Sequence, residues 1–182
     1  PIKAEAGEKP SFASIIGLDA IKLLKDRNFF IFFISSVLIC IPLAFYYQNA
    51  NLFLSEIGLE NPTGKMTIGQ VSEVLFLLLL PVFLHGICYD FFFVSGQIYT
   101  DSKAGVKYKS AAQGLITLAT YGIGQLIGFW VASFIGDKYK DLKATDLAGF
   151  WEHTWVVPAG IAFVVMIIFL IFFKDEKVSK TN

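Results

Sequence analysis

Residues 29–45 read FFIFFISSVLICIPLAF, and this stretch decides the fold class. The apolar run continues to about Leu54, which makes it long enough to cross the ~30 Å hydrocarbon core of a bilayer as a tilted helix. Pro42 lies mid-way, where a kink is tolerated in lipid. A transmembrane helix is therefore predicted over about 29–54.

The whole chain has the composition of a membrane protein. It is 55% hydrophobic and only 16% charged, against about 25% charged residues in soluble domains. Three further apolar stretches cover about 69–99, 111–135 and 151–173. We therefore expect an all-α, polytopic transmembrane bundle over residues 28–182, after a cytoplasmic linker, 1–27.

The linker is expected to contain an amphipathic helix. Its apolar residues recur near helical spacing, at Phe12, Ile15, Ile16, Ile21 and Leu24. Such a helix lies in the membrane interface or packs under the bundle, and an ordinary connecting helix is an equally good interpretation.

Lysines and an arginine cluster around 22–27, 103–109 and 174–180. Four crossings place all three clusters on one side, with both ends cytoplasmic.

A stripe of small residues marks the third apolar stretch. Gly124, Gly128, Ala132 and Gly136 recur every fourth residue. This spacing puts them on one helix face, where a second helix can approach closely.

Several function classes find no support in the sequence. The formal net charge is zero, so nothing indicates a nucleic-acid partner. Cys40 and Cys88 both lie in apolar runs, without the spacing of a disulfide framework or a metal site. No phosphate loop, zinc motif or activated nucleophile is present. We expect no enzyme activity, no catalytic residue, no metal and no cofactor.

Polar side chains at membrane depth are the informative ones. A charge there costs ~3 kcal/mol or more and normally faces a bundle interior or a water-filled cavity. Asp90 has apolar neighbours on both sides, whereas Glu73 lies one turn inside its stretch and is also explained as an interfacial residue. Gln48 and Asn51 share a helix face and suit a neutral hydrogen-bonding solute, although helix–helix contact explains them as well.

Four segments resemble a known family. Tyr89-Asp-Phe-Phe-Phe-Val-Ser-Gly96 and Lys109-Ser-Ala-Ala-Gln-Gly-Leu115 resemble the end of the tenth and the start of the eleventh helix of nucleoside:proton symporters of the major facilitator superfamily. Gln48-x-x-Asn51 is similar to their seventh-helix motif, and Gly69-Gln-x-Ser-Glu73 to the start of their eighth. The resemblance covers only the C-terminal half of such a transporter.

The resemblance implies the fold, function and site. The substrate-binding residues would be Gln48, Asn51, Gln70, Glu73, Tyr89 and Asp90. Asp90 and Glu73 would be the proton-coupling candidates, while His85 and Tyr47 are candidates to line the cavity. The partners would be a nucleoside, protons, the lipid bilayer and the N-terminal transporter half missing from this chain. The location would be the bacterial cytoplasmic (inner) membrane.

The order of the motifs departs from the family at one junction. The eighth- and tenth-helix motifs are separated in the family by a whole further helix, but here Leu84 is followed directly by His85. On one continuous helix Glu73 and Asp90 would be ~25 Å apart and would not share a small-molecule site. The junction is either a deletion or an omission; we expect an omission, with Leu84 and His85 not bonded to each other.

Two other functions stay open at this point. A carrier for a sugar or another polar solute would use similar amide and carboxylate pairs. A small, non-transporting membrane assembly subunit would use the glycine-rich face for docking.

Overall fold

The computed structural model describes residues 18–68 and 89–174. Within these ranges every long regular element is a helix, which confirms the expected all-α class. In chain order the elements are a 3₁₀ helix Leu18–Lys25, α1 Arg27–Glu56, α2 Tyr89–Thr117, a π-helical segment Leu118–Gly124, α3 Gln125–Lys138, α4 Lys140–Thr145 and α5 Leu147–Phe172. Residues 62–68 are helical too.

Three helices in the described ranges are long and apolar enough to cross a membrane. They are α1, a continuous stretch Tyr108–Lys138 that includes α3, and α5. Half of the most apolar part of α1 is buried, 50%, against only 11% of that of α5. Helix α1 is therefore the central helix, and α5 presents most of its apolar surface outward, as a lipid-facing helix does.

Helix α1 begins at a well-defined cap. The Asp26 carboxylate accepts a hydrogen bond from the Phe29 N–H at 2.8 Å, which satisfies one of the free donors of the first turn. Pro42 lies inside the helix without ending it. The first turns pack Phe29 and Phe32 against Ile116 of α2.

The predicted small-residue face packs against α1. A Cβ on Gly128 would lie 2.5 Å from Ala44 Cβ, and one on Gly124 would lie 2.6 Å from the Val37 carbonyl oxygen. Ala132 continues this line of close contact with α1, here called the seam, and is buried together with Phe45. Gly136 departs from the prediction, because a Cβ there would meet no atom of the described residues within 4 Å. The close contact therefore ends at Ala132.

Helix α2 turns sharply at Gly105, whose φ of 62° and ψ of 178° are not helical. A polar clamp joins the two limbs, residues 89–104 and 106–117. The Lys109 ammonium lies 2.6 Å from the Asp101 carboxylate, and the Gln113 amide donates to Asp101 at 2.6 Å and to the Gln97 carbonyl at 2.8 Å. Gln113 belongs to the Ser-Ala-Ala-Gln-Gly segment, so the clamp gives that motif a structural role.

The start of α1, the turn of α2 and the end of α5 meet at one end of the bundle, here called the Asn28 end. Lys103 Nζ lies 3.3 Å from Asp26 Oδ2. The Asn28 amide donates to the Lys174 carbonyl at 2.8 Å, and the Lys174 N–H donates to Asn28 Oδ1 at 3.1 Å. Lysines of all three basic clusters therefore lie near this end.

The linker helix packs under the bundle, but not through all the expected residues. Ala20 is fully buried beside Ala104 and Ala112, whereas Ile21 is 47% exposed. Leu23 packs beside Ala20 and Leu24 packs near Phe29, so Ile21 is not part of the packed face. Phe12, Ile15 and Ile16 lie outside the described residues.

The seam makes a prediction about two matched substitutions. Gly128→Ala should lower the free energy of unfolding by about 1–3 kcal/mol, because its methyl group would collide with Ala44 of a packed helix. Gly136→Ala should be neutral or stabilising by up to about 1 kcal/mol, because the site is open and alanine favours helix. Thermal unfolding in detergent measures both. Equal effects of the two substitutions would contradict the seam.

The polar clamp around Asp101 predicts how the stability of the fold depends on pH. Hydrogen bonds from Lys109 and Gln113 lower the pKa of Asp101. When the pKa of a carboxyl group is lower in the folded than in the unfolded protein, the group stabilises the fold at a pH above its unfolded pKa of about 3.9. This stabilisation is lost as the pH falls through the folded pKa. The unfolding temperature of Asp101→Asn should therefore fall less than that of the wild type below about pH 4. Parallel pH curves would show that the clamp does not stabilise the fold.

Candidate functional site

The predicted carboxamides lie on an exposed face near the end of α1. Gln48 and Asn51 are one helical turn apart, and both side chains are exposed. Tyr47 is 53% exposed beside them, and its ring centroid lies 5.8 Å from that of Tyr46. The helix thus presents two amides and two aromatic rings along one stretch of surface.

A serine of α3 fixes the first carboxamide. Gln48 Nε2 donates to Ser133 Oγ at 3.0 Å. Ser133 directly follows Ala132, the last residue of the close seam with α1. The packing along the seam therefore brings the Ser133 hydroxyl within hydrogen-bond distance of Gln48.

A threonine of the helical residues 62–68 fixes the second carboxamide. Asn51 Nδ2 donates to Thr63 Oγ1 at 2.8 Å, with Met66 Sδ at 3.9 Å. The turn before this helix contains Gly58 at φ 83° and Asn61 at φ 51°. Asn61 Oδ1 accepts from the Gly64 N–H at 3.1 Å, which starts the helix with Thr63 in its first turn.

Asp90 and Tyr89 lie in the first turn of α2, and only their backbone is described. The Asp26–Lys103 pair gives a common level from which depth along the bundle can be measured. Gln48 follows Asp26 by 22 residues and Asp90 precedes Lys103 by 13, which puts them ~33 Å and ~20 Å from that level. The carboxamides thus lie nearer the far end of the bundle than Asp90.

The remaining predicted site residues cannot be placed. Gln70, Glu73 and His85 lie outside the described residues, as does the junction of Leu84 and His85. Their roles stay predictions.

Neither of two cavities in the described part of the chain contains a predicted site residue. One is a groove of about 700 Å³ between the end of α1 and the start of α5, lined mainly by Phe53, Trp151 and Trp155. The other, of about 20 Å³, lies between Phe32 and Tyr121 and is too small for a nucleoside. The amide face is instead an open helix surface within the described part of the chain.

An ion pair and a hydrogen bond, here called the ionic lock, join three helices at the end of the bundle opposite the Asn28 end. The sequence did not predict these contacts. Glu56 Oε1 lies 2.6 Å from Lys143 Nζ, and Glu56 Oε2 accepts from Trp151 Nε1 at 3.0 Å. The Lys143 ammonium also lies over the Trp151 ring, 5.6 Å from its centroid. The lock ties α4 and α5 to the end of α1, one to two turns beyond Asn51. Its members, Glu56, Lys143 and Trp151, are far apart in sequence, so spacing along the chain does not indicate the contact.

The model of one known protein family matches the chain in two parts. The family model described as nucleoside H+ symporter matches residues 1–85 and again 77–178. The two matches overlap at 77–85, a stretch that includes the Leu84–His85 junction. No solved structure matches the chain.

Three proteins of Escherichia coli K12 are similar to the chain. YegT, provisionally named a nucleoside transporter, is 35% identical over 208 residues, covering 89% of this chain and 49% of YegT. The nucleoside permease NupG is 25% identical over 220 residues, covering 92% of this chain and 52% of NupG. A xanthosine permease is 24% identical, covering 94% and 52%. The chain spans about half the length of these relatives.

The alignment with YegT spans 208 positions, whereas 89% of the 182 residues of this chain is about 162. About 46 positions of the alignment therefore have no residue of this chain. A segment missing at the Leu84–His85 junction, by deletion or by omission, would contribute to this difference.

One assignment follows from the matched motifs, the helical bundle and the family model, which covers nearly the whole length of the chain. The chain is a multi-pass membrane protein and belongs to the nucleoside H+ symporter family.

Proposed function

We propose that the complete protein carries nucleosides into the cell together with protons, and that this chain supplies the C-terminal wall of the substrate cavity. The observation that carries the proposal is the pair of carboxamides, Gln48 and Asn51, exposed on the central helix and each held by a hydroxyl group. Relatives named as nucleoside permeases support the choice of substrate.

The chemistry of the amide face suits a nucleobase. Each carboxamide offers two N–H donors and a carbonyl acceptor, and the hydroxyls of Ser133 and Thr63 occupy one donor each. Among the described residues, one N–H of Gln48 and the carbonyls of both amides have no hydrogen-bond partner, while the Asn51 nitrogen also has Met66 Sδ at 3.9 Å. Together they offer the mixed donors and acceptors that match the edge of a base. The exposed ring of Tyr47 provides an apolar face beside them.

Proton coupling would come from the carboxylates of Asp90 and Glu73. A carboxylate at membrane depth is costly when ionised, so protonation lowers the cost of closing the cavity around it. The two halves of the protein would then rock about the central site, exposing it to each side in turn.

The proposed location is the cytoplasmic membrane of a bacterium, with the Asn28 end facing the cytoplasm. Basic residues favour the cytoplasmic side of a membrane, and lysines of all three clusters lie near this end of the bundle.

The amide face can be tested with three matched substitutions. Gln48→Ala and Asn51→Ala should each raise KM for nucleoside uptake by about 3- to 10-fold, the value of one lost hydrogen bond. Asn49→Ala is the control, because its amide donates to the Phe45 carbonyl of its own helix, and it should leave KM unchanged. Uptake of uridine, adenosine and xanthosine into proteoliposomes holding the complete protein measures these effects. Loss of uptake with Asn49→Ala but not with the other two would contradict the proposed face.

Proton coupling requires a different measurement. Uptake driven by an inward proton gradient should collapse on Asp90→Asn or Glu73→Gln, because an amide cannot take up the proton. Exchange of labelled for unlabelled nucleoside without a gradient serves as the control for folding and binding. Gradient-driven uptake that survives both substitutions would rule out these residues as the coupling groups.

A further inference from the structure

Each carboxamide of the amide face is held by a hydroxyl group from a different helix. Ser133 comes from α3 and lies 85 residues from Gln48 in sequence, at 3.0 Å. Thr63 comes from the helical residues 62–68 and lies 2.8 Å from Asn51. The two contacts are independent of each other and flank the same turn of α1.

The two hydroxyls differ from most others in the described part of the chain. The hydroxyls of Thr67, Ser102 and Thr145 donate to backbone carbonyls three or four residues earlier, a common arrangement for Ser and Thr in helices. Ser133 and Thr63 instead accept from an amide on another helix. This is the contact expected of residues that orient a side chain, and both lie at exposed positions that are not needed for the core.

We propose that Ser133 and Thr63 are positioning residues that hold Gln48 and Asn51 in the orientation that binds nucleoside. This inference rests on the proposed function and names two further residues of its site. A free Gln or Asn side chain samples several rotamers and loses that freedom on binding. A tether already in place in the empty protein removes most of this cost from the binding step.

The arrangement also makes the site sensitive to helix movement. Gln48 is oriented from α3, and Asn51 from the segment that follows the loop after α1. Any shift of α3 along α1, or of residues 62–68 relative to it, changes the direction of one amide and not of the other. Nucleoside that contacts both amides would therefore favour one arrangement of the three helices.

The test is a pair of double-mutant cycles in the complete transporter. Ser133→Ala and Thr63→Ala should each raise KM, for whichever of uridine, adenosine and xanthosine is carried best, by about 3- to 10-fold. The maximal rate should change little. Ser133→Thr and Thr63→Ser keep the hydroxyl and should restore KM. Ser102→Ala and Thr145→Ala are the matched controls and should leave KM unchanged.

The cycles separate positioning from direct contact. Ser133→Ala should have no further effect in a Gln48→Ala background, and Thr63→Ala none in an Asn51→Ala background, because each hydroxyl acts through its amide. Losses that add within these pairs, or no loss from the single variants, would overturn the inference while wild-type uptake still supports the proposed function. A wild-type protein that carries none of the three nucleosides would instead defeat the proposed function itself.

Discussion

The close contact of α3 with α1 is the constraint on which the rest of the structure depends. Gly124 and Gly128 lie so near Val37 and Ala44 that a single added methyl group would not fit. This contact fixes the rotation of α1 and buries Phe45 against Ala132. Beyond Ala132 the contact ends, because no atom in the described ranges lies within 4 Å of the Cβ position of Gly136. The amide face begins at this point: Gln48 lies one turn after Ala44, where the opening between the two helices leaves its side chain accessible.

Sequence reasoning identified the features that depend on local spacing. Long apolar runs predicted membrane helices, a four-residue repeat predicted the seam, and a three-residue spacing put Gln48 and Asn51 on one face. It failed where the outcome depended on contacts between distant segments. Ser133 is a lone serine in an apolar helix, and nothing near it in sequence indicates that Gln48 lies 3.0 Å away.

The position of a bound nucleoside tests the central claim most directly. An experimental structure of the complete transporter with nucleoside should place the base against the carboxamides of Gln48 and Asn51, with Ser133 and Thr63 still bonded to them. Asp90 should face the same cavity from α2. A nucleoside bound instead in the groove between α1 and α5, against Trp151 and Trp155, would contradict the assignment of the amide face as the substrate site.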